Sequence, residues 1–263
     1  MAQPAALITG AGRGIGEAIA RRLARDGVFV VLGARTLEAC EALARELRAE
    51  GGAAAAVALD VADPASVRAA ATRAAELVGP ERTLDWLVNN AGIAHSAPLF
   101  PREEVEALFE RHMQVNFHGA RRMLEALGPA MKTRGYGRVV NIASSAALVG
   151  YRYVSAYCAS KHALLGYSRA AALELEGSGV AVSVVCPHYV DSPMTDDSIR
   201  RIVEKTGKTP ERARGMLAAQ NPGGALVKPA QIAEVVLALC RGAENGALVE
   251  LDGGEPRYHP RSS

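Results

Sequence analysis

The chain has 263 residues, with 30 Lys and Arg against 28 Asp and Glu, a formal net charge of +2. That balance offers no basic face for nucleic acid or an anionic membrane, and 49% hydrophobic residues suffice for one sizeable core. No apolar run approaches the ~20 residues of a membrane span, the start Met1-Ala2-Gln3-Pro4 has no leader pattern, and four scattered cysteines (Cys40, Cys158, Cys186, Cys240) show no disulfide or metal-ligand spacing. A cytoplasmic protein without a metal is expected.

Short apolar runs alternate with amphipathic stretches. The runs 5–9, 28–34, 54–58, 84–88, 138–142, 180–186 and 247–251 predict strands buried on both faces. Between them, helical patterns cover 14–25, 37–50, 64–78, 102–131, 156–176 and 229–241, and Pro64 and Pro229 suit helix starts. This alternation predicts an α/β fold of the Rossmann type, a doubly wound parallel sheet with helices on both faces, in one domain spanning 1–263. The stretch 188–225 is polar and broken by Pro193, Gly207, Pro210 and Pro222. Its place after a strand predicts a substrate loop or lid; the alternative is a surface excursion.

The first predicted strand runs into Thr9-Gly10-Ala11-Gly12-Arg13-Gly14-Ile15-Gly16, and a helix follows at once. Glycines there let the backbone approach a pyrophosphate, and the helix N-terminus supplies free N–H groups. The second strand ends in Ala34-Arg35, where a NAD-binding fold would carry a carboxylate. Arg35, with Arg13, suits the 2′-phosphate of NADP(H) instead; otherwise Arg35 only opens the solvated face of the next helix, and NAD(H) stays possible. Asp60, followed by Val61, could accept from an adenine amino group or merely turn the chain. Asn89-Asn90-Ala91-Gly92 ends the fourth strand, with small residues that admit a flat ring.

Tyr157 and Lys161 are four residues apart in a predicted helix and so share a face. An ammonium that close favours phenolate and should lower the phenol pKa. Ser144, thirteen residues before Tyr157, adds a hydroxyl donor for a developing oxyanion, and Ser145 is its neighbouring alternative.

With these motifs in order, the chain resembles the classical short-chain dehydrogenases/reductases along nearly its whole length. The matching pieces are Thr9–Gly16, Asp60-Val61, Asn89–Gly92, Asn116, Ser144, Tyr157-x-x-x-Lys161 and Asp252-Gly253-Gly254. The resemblance implies about seven parallel strands, a nicotinamide cofactor, a small alcohol or carbonyl substrate, and a homo-oligomer, either dimer or tetramer. It implies a tetrad of Asn116, Ser144, Tyr157 and Lys161. Tyr157 would be the general acid/base, Lys161 would bond the nicotinamide ribose, Ser144 would hold the substrate oxygen, and Asn116 would anchor a water. Pro187, Val190 and Ser192 fit the family's nicotinamide-binding stretch.

The chain departs from that pattern at His188, which stands where the family has glycine. A pocket or cofactor contact by its ring and a purely structural role are both open. His95, Tyr151, Tyr153 and Tyr189 are further pocket candidates, each with a packing alternative. The tail after Gly254 is longer than usual and is expected either to fray or to cross a subunit interface. The resulting expectation is a reversible hydride transfer between NADP(H) and a secondary alcohol or ketone, as in a ketoreductase. The rivals are an NAD(H)-linked dehydrogenase and a non-catalytic dinucleotide sensor.

Overall fold

The computed structural model describes residues 4–100 and 103–259. The leader expectation on residues 1–3, the predicted helix start at 102 and the tail residues 260–263 lie outside that range.

Among the described residues, eight strands form one sheet: β1 (Ala5–Thr9), β2 (Phe29–Ala34), β3 (Ala54–Ala58), β4 (Leu84–Asn89), β5 (Gly137–Ile142), β6 (Val180–Pro187), β7 (Leu248–Leu251) and β8 (Arg257–His259). The order is β3-β2-β1-β4-β5-β6-β7-β8. The pairs from β3 to β7 are parallel, and β8 pairs antiparallel with β7 through Val249 and Tyr258. The expected seven strands are therefore present, and residues 257–259 of the tail add an eighth instead of fraying.

Nine α-helices cover the two faces: α1 (Gly14–Arg25), α2 (Leu37–Ala49), α3 (Pro64–Val78), α4 (Glu103–His112), α5 (Gly119–Arg134), α6 (Ser155–Glu174), α7 (Pro193–Thr206), α8 (Pro210–Ala218) and α9 (Pro229–Arg241), counted among the described residues. Strand side chains alternate between faces. Ile8, Leu32, Val140 and Val249 pack against Ile19 and Leu23 of α1, Leu43 and Leu47 of α2, and Ile232 and Val236 of α9. Leu7, Val31, Leu87, Val139 and Val182 point the other way, onto α3, α5 and α6. Burial on both faces is why these strands read as unbroken apolar runs.

Helix starts follow local chemistry. Asp63 caps α3 by accepting the Ala65 N–H at 2.8 Å, and Pro64 occupies the first turn, where its missing N–H costs nothing. The single helix expected over 102–131 is instead α4, a π-helical segment (Met113–His118) and α5. The wider π turn interrupts the α pattern around Asn116; such bulges gather at functional sites. The stretch 188–225 carries α7 and α8, whose Ile199, Ala213 and Leu217 form a small core of their own with Tyr189 beside it.

Neighbours β1 and β4 diverge from the switch point of the sheet, because the chain leaves β1 toward β2 and returns beyond it to β4. Ligands of doubly wound folds bind outside the carboxyl ends of strands at this point.

Candidate active site

A cleft of about 2280 Å³, including its solvent-open part, lies over these strand ends. At one end, Gly10 turns β1 back with φ +65°, and a Cβ there would meet Ala91 Cα at 2.9 Å. Only glycine combines that angle with that approach. Gly16 lets α1 close on the turn: its Cβ would stand 2.3 Å from Gly10 O. Thr9 and Asn90 tie the strand ends together. The Thr9 Oγ1 accepts the N–H of Asn90 and of Ala91, each at 3.0 Å, and the Asn90 amide donates to Thr9 O and Gly10 O.

Gly10, Gly12, Arg13, Gly14, Ile15, Arg35, Asp60 and Val61 all line this end. Neither the Arg13 nor the Arg35 guanidinium has a hydrogen bond or ion pair among the described residues. The Asp60 carboxylate accepts the Ala62 N–H at 2.9 Å, so it shapes its own turn as well as facing the cleft. This cradle fits a dinucleotide: a turn free of side chains, a helix N-terminus, and two uncommitted cations. Gly16 and Asn89 do not line it. Gly16 is packing, and Asn89 is buried toward the other face of the sheet, where its Nδ2 donates to Asn141 Oδ1 at 2.8 Å. The contact expected of Asn89 is thus corrected to Asn90, because neighbouring strand residues face opposite ways.

At the base of the cleft, α6 carries Tyr157 and Lys161 one turn apart. The Lys161 Nζ lies 5.8 Å from the Tyr157 ring centroid and donates to Ile142 O, at the end of β5, at 2.9 Å. Ser144, just past β5, hydrogen-bonds the Tyr157 phenol. Ser145 instead accepts from the Tyr151 hydroxyl at 2.9 Å, so Ser144 is the serine that meets the phenol. Burial dominates the electrostatics. It pushes the Tyr157 phenol up to about 12, with the Ser144 bond opposing, and draws Lys161 down to about 8. The lowered phenol pKa expected from the lysine is therefore reversed, because desolvation of the phenolate is the largest influence on the group.

Asn116 sits behind the cleft wall without lining it. Its Oδ1 accepts the Ile93 N–H at 2.8 Å, and its Nδ2 donates to Ile93 O and to Ser160 Oγ, each at 3.0 Å. Ser160 Oγ donates in turn to Tyr157 O at 2.8 Å. Asn116 thereby connects the loop after β4 to α6; its side-chain amide is committed to protein groups.

The far end is lined by Ile93, Ala94, Tyr151, Val154, Pro187, His188, Tyr189, Val190, Ser192, Met194 and Ser198. Tyr151 and Tyr189 meet edge to face, with centroids 6.3 Å apart. His95 does not line the cleft: its side chain is exposed at the mouth and its N–H donates to His112 Nε2. Tyr153 is 67% exposed and also lies outside it. His188 has an ordinary backbone, so no glycine is required there, and its N–H donates to Leu251 O at 2.8 Å. Its ring turns toward β7: Nε2 lies 2.7 Å from Glu250 Oε1. The tail completes this cluster. His259 Nε2 lies 3.0 Å from Glu250 Oε2, and Arg257 reaches both Glu250 and Asp252. Burial pushes the Glu250 carboxyl up, but hydrogen bonds from His188 and His259 and the Arg257 charge outweigh it and hold it below its ordinary value. Residues 257–259 of the tail thus run along the chain's own sheet.

Sequence reasoning missed His112, Ser160 and Asn221. The buried Asn221 accepts the Tyr189 N–H and donates to Tyr189 O and Ala225 O, pinning the stretch after β6 to the end of α8. Each has a side chain bonded to a group far away in sequence, His112 to the His95 N–H, Ser160 to the Asn116 amide and Asn221 to Tyr189, and no local pattern marks them. Among the described residues, no helix is long and apolar enough to cross a membrane, and no His, Cys, Asp and Glu cluster could hold a metal ion. All four cysteines are free.

Comparison with known proteins places this site in context. The sequence profile described as short chain dehydrogenase matches residues 4–202. The short-chain reductase protein NovJ of Streptomyces niveus is 35% identical over 254 residues, 95% of this chain and 93% of that protein. The cis-4-hydroxycyclohexanecarboxylate dehydrogenase of Sinomonas cyclohexanicum is 35% identical over 257 residues, 96% of each. Among solved structures, an actinorhodin polyketide ketoreductase variant with NADPH superposes with TM-score 0.88 and 33% identity, covering 96% of this chain and 97% of that one.

Proposed function

Because this chain belongs to the short-chain dehydrogenase family, and so is an oxidoreductase, we propose that it interconverts ketones and secondary alcohols with NADP(H). The observation that carries the reading is the Tyr157 phenol, hydrogen-bonded to Ser144 and backed by Lys161, in the same cleft as the unpaired Arg13 and Arg35. Gly10–Gly14 would take the pyrophosphate, Arg13 and Arg35 the 2′-phosphate, and Pro187, Val190 and Ser192 the nicotinamide end. When bound, that group supplies or accepts the hydride.

The chain's own residues handle the proton and the oxygen. In the reductive direction Tyr157, held protonated by burial, donates its proton to the carbonyl oxygen as negative charge develops there. The Ser144 hydroxyl gives a second donor to that oxygen. Lys161 keeps a positive charge behind the phenol and lowers the cost of the transient phenolate. In the oxidative direction the same groups run in reverse. A non-catalytic sensor would need no acid at this place.

The edge-to-face Tyr151–Tyr189 pair, with Val154 and Met194, gives the substrate end apolar walls, which suit a ring-bearing ketone. The helices α7 and α8 act as the lid over it. The free thiols fit a cytoplasmic enzyme, and a homo-oligomer is expected from the family.

The test is NADPH and NADH oxidation by the purified protein against a panel of cyclic and open-chain ketones. NADPH-preferring turnover of a cyclic ketone is expected. Tight NADPH binding with no turnover on any ketone would leave the sensor reading instead.

A further inference from the structure

Helix α4 ends at His112, and its side chain is fully buried behind the cleft. A buried imidazole must find partners for both nitrogens. Nδ1 lies 2.8 Å from Leu108 O, one turn back, so Nδ1 carries the hydrogen. That leaves Nε2 as an acceptor, and it takes the His95 N–H at 3.1 Å. Asn116, one turn further on, takes the Ile93 N–H. A helical turn rises ~5.4 Å, and two residues of extended chain cover ~6.6 Å. The two side chains can therefore grip alternate residues of the segment that runs past them. Between these grips lies Ala94, which with Ile93 forms a wall of the cleft. The His112 ring also stands edge-on to Tyr157, with centroids 6.3 Å apart and planes at 77°. On its other side lies the His95 ring, at 5.8 Å and 85°.

We propose that His112 is a positioning residue for the reaction: as a neutral acceptor it sets the height of the 93–97 wall above Tyr157 and braces the Tyr157 ring. The proposal rests on Tyr157 being the proton donor. Burial holds the imidazole below its ordinary pKa despite the bond to Leu108, and the nearby Arg111 and Lys161 charges act in the same direction. The neutral ring is required by geometry, since a protonated Nε2 would face the His95 N–H donor to donor. An apolar side chain would pack in the same volume, yet it would take away the protein acceptor of that N–H.

His112→Leu removes the acceptor, and His112→Gln restores an acceptor near the Nε2 position. Three readouts are taken: deuterium uptake of the 93–97 backbone, NADPH binding by fluorescence titration, and kcat and KM for a cyclic ketone. For His112→Leu, faster uptake at 93–97 and an about tenfold fall in kcat/KM, ~1.4 kcal/mol, are expected, with NADPH affinity within about twofold of wild type. His112→Gln should recover most of both losses. If His112→Leu does not fold, His112→Asn, too short to reach the His95 N–H, replaces it and is expected to behave the same way. Unchanged uptake and kcat/KM in the folded variant would overturn the proposal, as would equal impairment of the Leu and Gln variants. An active Tyr157→Phe protein would instead overturn the proton-donor reading, and the uptake measurement separates the two failures.

Discussion

The Lys161 ammonium lies 5.8 Å from the centre of the Tyr157 ring, and burial moves the two groups' pKa values in opposite directions, the phenol up to about 12 and the ammonium down to about 8. Both shifts have one cause: each charged form has lost water that the protein replaces only in part. The site holds a proton on the phenol and carries a cation at a cost in stability.

That cost has a definite pH dependence. The folded pKa of Lys161, about 8, lies below its ordinary 10.5. Between these values the unfolded chain binds a proton that the folded chain does not, so stability rises with pH across that window. Below about 8 the penalty is fully present. Lys161→Met should therefore be more stable than wild type at pH 7, and the gap should narrow by pH 9.5. Urea melts at the two pH values measure this; a gap that does not change with pH would contradict it.

Tyr157→Phe deletes the proposed proton donor but keeps the ring that stands edge-on to His112. Turnover should fall by ~10²–10⁴-fold, the range for a lost general acid. NADPH affinity, read by fluorescence, should stay within about twofold.

Arg35→Asp places a carboxylate where the 2′-phosphate is proposed to sit. A charge-assisted hydrogen bond contributes ~1.5–3 kcal/mol. The ratio of kcat/KM for NADPH over NADH should thus drop at least about tenfold. An unchanged ratio would show that Arg35 only solvates α2.

The Glu250 cluster predicts acid sensitivity. Glu250 has a folded pKa below its ordinary 4.5, so its contribution is fully present above pH ~4.5 and is lost as pH falls through the lowered value. Glu250→Gln, which keeps the shape and removes the charge that His188, His259 and Arg257 share, should lower Tm at pH 6. The two proteins should converge as pH falls below that lowered value. Thermal melts across that range decide the matter.

Much of this was legible in the chain. The alternation of apolar runs and helical patterns specifies the doubly wound sheet because each strand, buried on both faces, must read as apolar throughout. The Thr9–Gly16 turn and the Tyr157/Lys161 spacing are local signals, since the chemistry they need is carried by residues near one another in sequence. Asn89 and Asn90 show the limit. Both are polar at a strand end, and only the packing of β5 and α6 against one face shows that Asn89 serves the core and Asn90 the cleft.

The sequence by itself determined the fold class, the position of the dinucleotide turn, and the Ser144, Tyr157 and Lys161 set. Tertiary structure decided where His188 points, because its partner Glu250 is 62 residues away on the neighbouring strand. It decided that the tail is an eighth strand, since that depends on the free edge of β7. It decided the state of Tyr157 as well: charge proximity follows from a four-residue spacing, whereas desolvation follows from everything packed around the ring, and here desolvation is the larger effect.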